Sequence, residues 1–180
     1  MVMSVAFGGS GGQGIVFAAE VLAETLFEHG LYVSQLQSYG AEVRGGSVLA
    51  YVVLDDKPIE NPFIESFSIA VVLHRAVVAR WRKHFENSSV LVVDSDLVGS
   101  ELPNAVRLPI ARKAMENGVG GAENVVAVGI ALRLLPIEVP KDVVLRVLSK
   151  RRNFEINARA LELGLSLGEE AKNMVARSTE

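Results

Sequence analysis

The chain contains no cysteine. That absence removes disulfides, thiolate nucleophiles, cysteine-ligated zinc and cysteine-held iron–sulfur clusters together. It also suits a reducing cytoplasm, the location expected here. Charge of one sign is lacking as well: 18 basic against 21 acidic residues leave a net charge of −3. Neither nucleic acid nor an anionic membrane is invited by that balance. The basic run Lys150-Arg151-Arg152 is short and reads as the end of a helix, where cations oppose the negative pole. No basic stretch precedes an apolar run near Met1, so neither a signal peptide nor a membrane span is expected. What is present is ordinary for a globular chain. It has 180 residues, 49% hydrophobic and 22% charged, enough for one domain over residues 1–180 with a real core.

Val2 to Phe7 is a short apolar run bounded by glycines and reads as a buried strand. Ile15 to Glu28 has helical periodicity, with Ile15, Ala18, Ala19, Leu22, Ala23 and Leu26 on one face and Glu20, Glu24 and Glu28 on another. Gly30 is placed for a left-handed cap, and Leu31 to Leu36 reads as the next strand, completing a βαβ unit. A polar loop over Gln37 to Gly46 leads to a third strand, Val48 to Leu54. Ile69–Leu73 and Val90–Val93 are further buried strands around a basic helix near Ala76 to Phe85. Beyond Asp96 the pattern is helical: Ala111–Glu116, Asn124–Leu134, Lys141–Arg151, Glu155–Leu163 ending at Gly164, and Ser166–Ala176 opened by a Ser166/Glu169 capping box. The expected fold is α/β: one doubly wound, Rossmann-like domain with a mostly parallel sheet and a helical C-terminal third.

Gly9-Ser10-Gly11-Gly12-Gln13-Gly14 satisfies G-x-G-x-x-G between a strand and a helix, the context that gives the pattern meaning. Glycines let the backbone approach a ligand, and the helix start offers unpaired N–H groups, so a phosphate or pyrophosphate is the natural guest. A plain tight turn is the competing account. NAD is disfavoured, because the second strand ends Gln35-Leu36-Gln37-Ser38 with no acid before Glu42. ATP hydrolysis is disfavoured because no Gly-Lys-Ser/Thr follows the glycines. Gly8-Gly9-Ser10-Gly11-Gly12 also matches the G-x-S-x-G elbow of serine hydrolases. The scarce histidines His29, His74 and His84 would force a triad from Ser10, Asp55 or Asp56, and His74.

Ser38-Tyr39-Gly40-Ala41-Glu42-Val43-Arg44-Gly45-Gly46 brackets a Glu/Arg pair with glycines. A structural ion pair at a turn accounts for it as well as a ligand site does. Taken in order, G-x-G-G-Q-G and S-Y-G-x-E-x-R-G-G resemble the gamma subunits of 2-oxoacid:ferredoxin oxidoreductases, equivalent to one domain of the single-chain pyruvate enzymes. Glu123 to Gly129 resembles the family's Asn-x-x-x-x-Gly helix start, and Asn157 to Gly164 its C-terminal signature. The likeness spans nearly the whole chain and is strongest over residues 5–54. The second motif stands nearer to subunits acting on 2-oxoglutarate or branched-chain 2-oxoacids. At Ser66-Phe67-Ser68 the chain departs from relatives that carry an aspartate.

The resemblance implies a subunit of a complex that oxidatively decarboxylates a 2-oxoacid with coenzyme A to acyl-CoA and carbon dioxide, reducing ferredoxin. Thiamine diphosphate with magnesium, and 4Fe–4S clusters, would sit on alpha, beta and, where separate, delta subunits, since this chain has neither cysteines nor Gly-Asp-Gly. Coenzyme A remains for this chain. By resemblance, Gly9, Gly11, Gly12, Gln13 and Gly14 would cradle its phosphates, with Asn124 nearby and Ser38, Tyr39, Glu42 and Arg44 shaping the crevice or holding a partner. No residue of this chain is expected to be catalytic. A free-standing nucleotide-binding module and a serine hydrolase using Ser10 are the alternatives.

Overall fold

The computed structural model describes residues 2–42 and 45–178. Six strands form one sheet in the order β2-β3-β1-β4-β5-β6. They are β1 (Met3–Ser10), β2 (Tyr32–Tyr39), β3 (Ser47–Asp55), β4 (Ile69–Val72), β5 (Val90–Asp94) and β6 (Val106–Leu108). The helices are α1 (Ile15–Glu28), α2 (Val78–Glu86), α3 (Ile110–Glu116), α4 (Glu123–Leu134), α5 (Lys141–Ser149) and α6 (Phe154–Arg177). The β1–β4–β5–β6 half is parallel. β3 runs antiparallel to both neighbours, inserted between β1 and β2. The βαβ crossover therefore exists, but it steps over a strand, because β2 and β3 are close enough in sequence to pair as a long hairpin.

The sheet buries both faces. Val5 and Phe7 of β1 pack with α1, α4, α5 and α6 on one side, and the expected face of α1 is wholly inside. Ala6, Leu49 and Val72 pack with Val78 and Phe85 of α2 on the other. Alternation of the pleat sends neighbouring β1 residues to opposite cores. At the Ser66–Ser68 departure, Ser68 and Ser4 bond each other reciprocally. Ser4 N–H donates to Ser68 Oγ at 3.0 Å, and Ser68 N–H donates to Ser4 Oγ at 3.1 Å.

Several boundaries differ from expectation. β2 runs on to Tyr39, so the loop after it is only 40–46. β6 lies in the region expected to be helical; three residues containing Arg107 give too short an apolar signal to read. The largest correction is α6, a single 24-residue helix where two were expected. Gly164 does not end a helix and Ser166/Glu169 is no capping box; Glu169 instead faces Arg133 at 3.4 Å. A Cβ at Gly164 would lie 2.2 Å from Val126 O and 2.9 Å from the Gly129 Cα. These glycines let the backbones of α4 and α6 touch.

Candidate functional site

The glycine loop follows directly from β1, whose last residue pairs as Ser10↔Ser47. Gly11 N–H donates to Gly46 O at 2.9 Å, so the two glycine-bearing loops are fastened to each other. Gln13 folds back, its Oε1 accepting Ser10 N–H at 2.8 Å. It braces the loop through its oxygen, and only its amide nitrogen remains for a ligand. Gly12 has φ 90°, and a Cβ there would meet nothing within 4 Å. Its backbone thus borders open space, in a conformation that favours glycine. Gly14, at φ 69°, is the N-cap of α1, and no side chain caps the helix. The first-turn N–H groups and the positive helix pole are left to that space.

α4 packs beside α1 on the same face of the sheet. Asn124 Nδ2 donates to Gly14 O at 3.3 Å, and Asn124 Oδ1 accepts Val125 N–H at 3.0 Å. Asn124 therefore holds the loop. Beside it lies a cavity of about 470 Å³ lined by Phe17, Gly121, Asn124, Lys150, Arg151, Arg152, Asn153 and Asn157. Lys150 caps the end of α5, as expected of the basic run. It also bonds Glu24 at 2.9 Å and Glu28 at 2.6 Å, while Arg151 reaches Glu24 at 2.8 Å. The Lys150 hydrogen bond lowers the Glu24 carboxyl below its ordinary range, and the bonds to Glu28 and Glu24 raise the Lys150 ammonium. Arg151 stands over the Phe17 ring at 5.9 Å. Among the described residues no ion pair engages Arg152. Arg152 is thus the cation left unpaired among the described residues lining this open cavity, and Asn124 links that lining to Gly14 of the glycine loop. Reading the basic run only as a helix end missed this lining; its adjacency to Asn153 and the α6 start was the available signal.

The second loop is placed only in part. Glu42 folds over the turn: a Cβ at Gly40 would lie 2.0 Å, and one at Gly46 2.7 Å, from Glu42 Oε2. Tyr39 is 57% exposed and its carbonyl accepts Arg80 Nη1 at 2.9 Å. Ser38 is half-buried on β2. Val43 and Arg44 lie outside the described residues, so the expected Glu42/Arg44 pairing does too. Gly9, Gly11, Gly12, Gln13, Gly14 and Asn124 converge; Glu42 approaches them through Gly46.

The hydrolase alternative fails on topology. Asp55 follows Leu54, which pairs with Met3 at the far end of β1 from Ser10. The separation is roughly 27 Å at ~3.4 Å per residue. His74 Nδ1 accepts Ala76 N–H at 3.1 Å and starts a 3-10 turn. Asp94, unremarked in the sequence, is buried; it accepts Asp96 N–H at 2.8 Å and Ala111 N–H at 2.7 Å, locking the β5 turn to α3. Among the described residues no three His, Asp or Glu side chains cluster to hold a metal, and no helix is long and apolar enough to cross a membrane.

The profile of the family described as pyruvate ferredoxin/flavodoxin oxidoreductase matches residues 4–167. A 2-oxoglutarate synthase subunit KorC from Archaeoglobus fulgidus is 28% identical, over 92% of this chain and 88% of its own. The KorC of Methanothermobacter marburgensis is 34% identical, over 72% of this chain and 75% of its own. The keto/oxoacid ferredoxin oxidoreductase gamma subunit of Geobacter sulfurreducens superposes with a TM-score of 0.77 at 28% identity, covering 96% and 98% of the two chains. A 2-oxoglutarate:ferredoxin oxidoreductase from Magnetococcus marinus, solved with 2-oxoglutarate, coenzyme A and succinyl-CoA bound, shares the fold. Its TM-score is 0.81 at 20% identity, over 94% of this chain and 31% of that longer one.

Proposed function

Because the chain belongs to the pyruvate ferredoxin/flavodoxin oxidoreductase family, as a gamma-type subunit, we propose that it presents coenzyme A to the thiamine-bearing subunits of its complex. It does so as one domain, in the cytoplasm, with alpha, beta and, where separate, delta partners. The reaction would join oxidative decarboxylation of a 2-oxoacid to acyl-CoA formation, with ferredoxin taking the electrons. Thiamine diphosphate, magnesium and the clusters would lie on the partners, since a chain without cysteine holds no cysteine-ligated cluster.

One observation carries the ligand assignment: the start of α1 has no side-chain cap, and Asn124, which bonds Gly14 there, also lines the Lys150–Arg152 cavity. Amides at a helix start suit a pyrophosphate. Arg152 in the neighbouring cavity suits a further phosphate, and coenzyme A carries both groups. The two glycine loops, joined at Gly11 and Gly46, would form the floor. Asn124 would hold the loop in its receptive shape.

Calorimetry of the assembled complex tests this. Gly12→Val forces a β-branched residue into φ 90° and fills the space, so coenzyme A affinity should fall at least tenfold. Thiamine-dependent decarboxylation without coenzyme A should persist, which reports correct assembly. Unchanged affinity in an assembled variant rejects the assignment.

A further inference from the structure

The two edges of the sheet are treated differently. β6 is three residues long and carries Arg107, and shortness and charge are common ways of keeping an edge from pairing. β2 is long and has no charged residue of its own; Arg80 reaches its outer edge at the Tyr39 carbonyl. Tyr32-Val33-Ser34-Gln35-Leu36-Gln37-Ser38-Tyr39 is eight residues without charge, proline or glycine. Its register with β3 runs unbroken from Tyr32↔Asp55 to Tyr39↔Val48, so no bulge turns it aside.

Its side chains also read almost alike in both directions about Leu36. Gln35 and Gln37 flank it, then Ser34 and Ser38, then Val33 and Tyr39. The backbone has the parity to use that symmetry. Gly40 N–H donates to Ser47 O at 2.7 Å, extending the β2–β3 ladder by one hydrogen-bonded pair. Because hydrogen-bonded pairs alternate, Ser38, Leu36, Ser34 and Tyr32 turn their amides toward β3. Tyr39, Gln37, Gln35 and Val33 turn theirs outward. Arg80, reaching the Tyr39 carbonyl from outside the ladder, agrees with that assignment.

We propose that two copies of this chain pair antiparallel through β2, about a twofold axis at Leu36, joining their sheets into one. Gln35 of each copy faces Gln37 of the other, exchanging both N–H···O bonds, and Val33 faces Tyr39, whose carbonyl has a second lone pair for Val33 N–H beside Arg80. Leu36 meets Leu36, and Ser34 meets Ser38, in the closer, non-hydrogen-bonded positions. Val33 against the half-exposed Tyr39 ring is a β-branched–aromatic pair of the kind that stabilises sheets. The occupant is a second copy because an isologous contact must match itself, and about Leu36 this strand sets Gln against Gln and Ser against Ser. The glycine loop lies beyond the Tyr39 end of β2, so antiparallel pairing puts the two loops at opposite ends of the joint sheet. The inference is independent of the coenzyme A reading.

Sedimentation equilibrium of the full chain alone, at micromolar concentration, should give a dimer. Gln35→Pro removes an outward N–H while sparing the β2–β3 ladder; it should give a monomer with an unchanged far-ultraviolet spectrum. The cysteine-free background makes the register directly readable. Leu36→Cys should link into a disulfide dimer on mild oxidation, since ~4.5 Å between Cα atoms lies within bridging range. Gln37→Cys should stay unlinked, because its counterpart sits two residues away from facing it. A chain monomeric throughout, including one that gains a strand only from a different subunit, overturns the proposal. So does a dimer that survives Gln35→Pro, or that links through Gln37→Cys as readily as through Leu36→Cys.

Discussion

Asn124 and Gly14 stand in a contact that admits no other pair easily: the Asn124 amide bonds the Gly14 carbonyl at 3.3 Å, and a Cβ on Gly14 would lie 2.4 Å from that same nitrogen. A residue of α4 thereby positions the loop of β1 and α1, 110 residues away in sequence. Gly14→Ala must accept φ 69° as well as the collision. A left-handed non-glycine costs about 1–2 kcal/mol before any clash. Asn124→Ala loses a hydrogen bond worth about 1 kcal/mol. The double variant is expected to be less destabilised than the sum of the singles, because removing the amide relieves the clash. Urea unfolding of the four proteins measures that coupling.

Gly164→Ala sets helix propensity against packing. Propensity favours alanine by about 1 kcal/mol. The added methyl would lie 2.2 Å from the Val126 carbonyl oxygen, which belongs to backbone and cannot swing aside. Overpacking of a fixed core costs about 1–3 kcal/mol or more. The net outcome expected is a lower melting temperature; a rise would show that α4 and α6 separate readily.

Stability should depend on acid through Glu24. Its pKa is lowered in the folded chain, first by the Lys150 hydrogen bond. A depressed carboxylate contributes stability above its unfolded pKa and loses it as pH falls through the folded value. The contribution is therefore present at neutral pH and disappears below the ordinary carboxylate range. Lys150, raised, keeps its share up to the ordinary lysine range and loses it above. Glu24→Gln should flatten the acid limb of a urea-midpoint profile between neutral pH and pH ~3; both groups face solvent, so the flattening is small.

Arg152→Ser should raise the apparent KM of the assembled complex for coenzyme A by about tenfold, the scale of one charge-assisted hydrogen bond. The maximal rate should hold, because binding lost equally in ground and transition states leaves kcat alone. Steady-state kinetics at varied coenzyme A separates the two.

Ser10→Ala should leave acyl-CoA formation unchanged. The Ser10 hydroxyl donates only to the neighbouring Gly11 carbonyl, at 3.3 Å, among the described contacts. An assay of the complex with and without the hydroxyl decides it.

Local pattern was enough for much of this molecule. The apolar face of α1, the cap at Gly30 and the strand–glycine loop–helix order are set by neighbours within a few residues, and all are found in place. The two glycine motifs, in order, carried the family. Three things were settled only by folding. β3 inserts antiparallel between β1 and β2, because pairing partners are chosen across the sheet and leave no mark in a strand's own periodicity. Gly164 looks like a helix end, yet α4 pressed against it makes it a contact point within one long helix. Lys150, Arg151 and Arg152 look like a solvated helix end, yet α1 and α4 arrive beside them and turn that end into a cavity wall. In each case the deciding partner lies far along the chain, where a residue's own type and spacing have no means of specifying it.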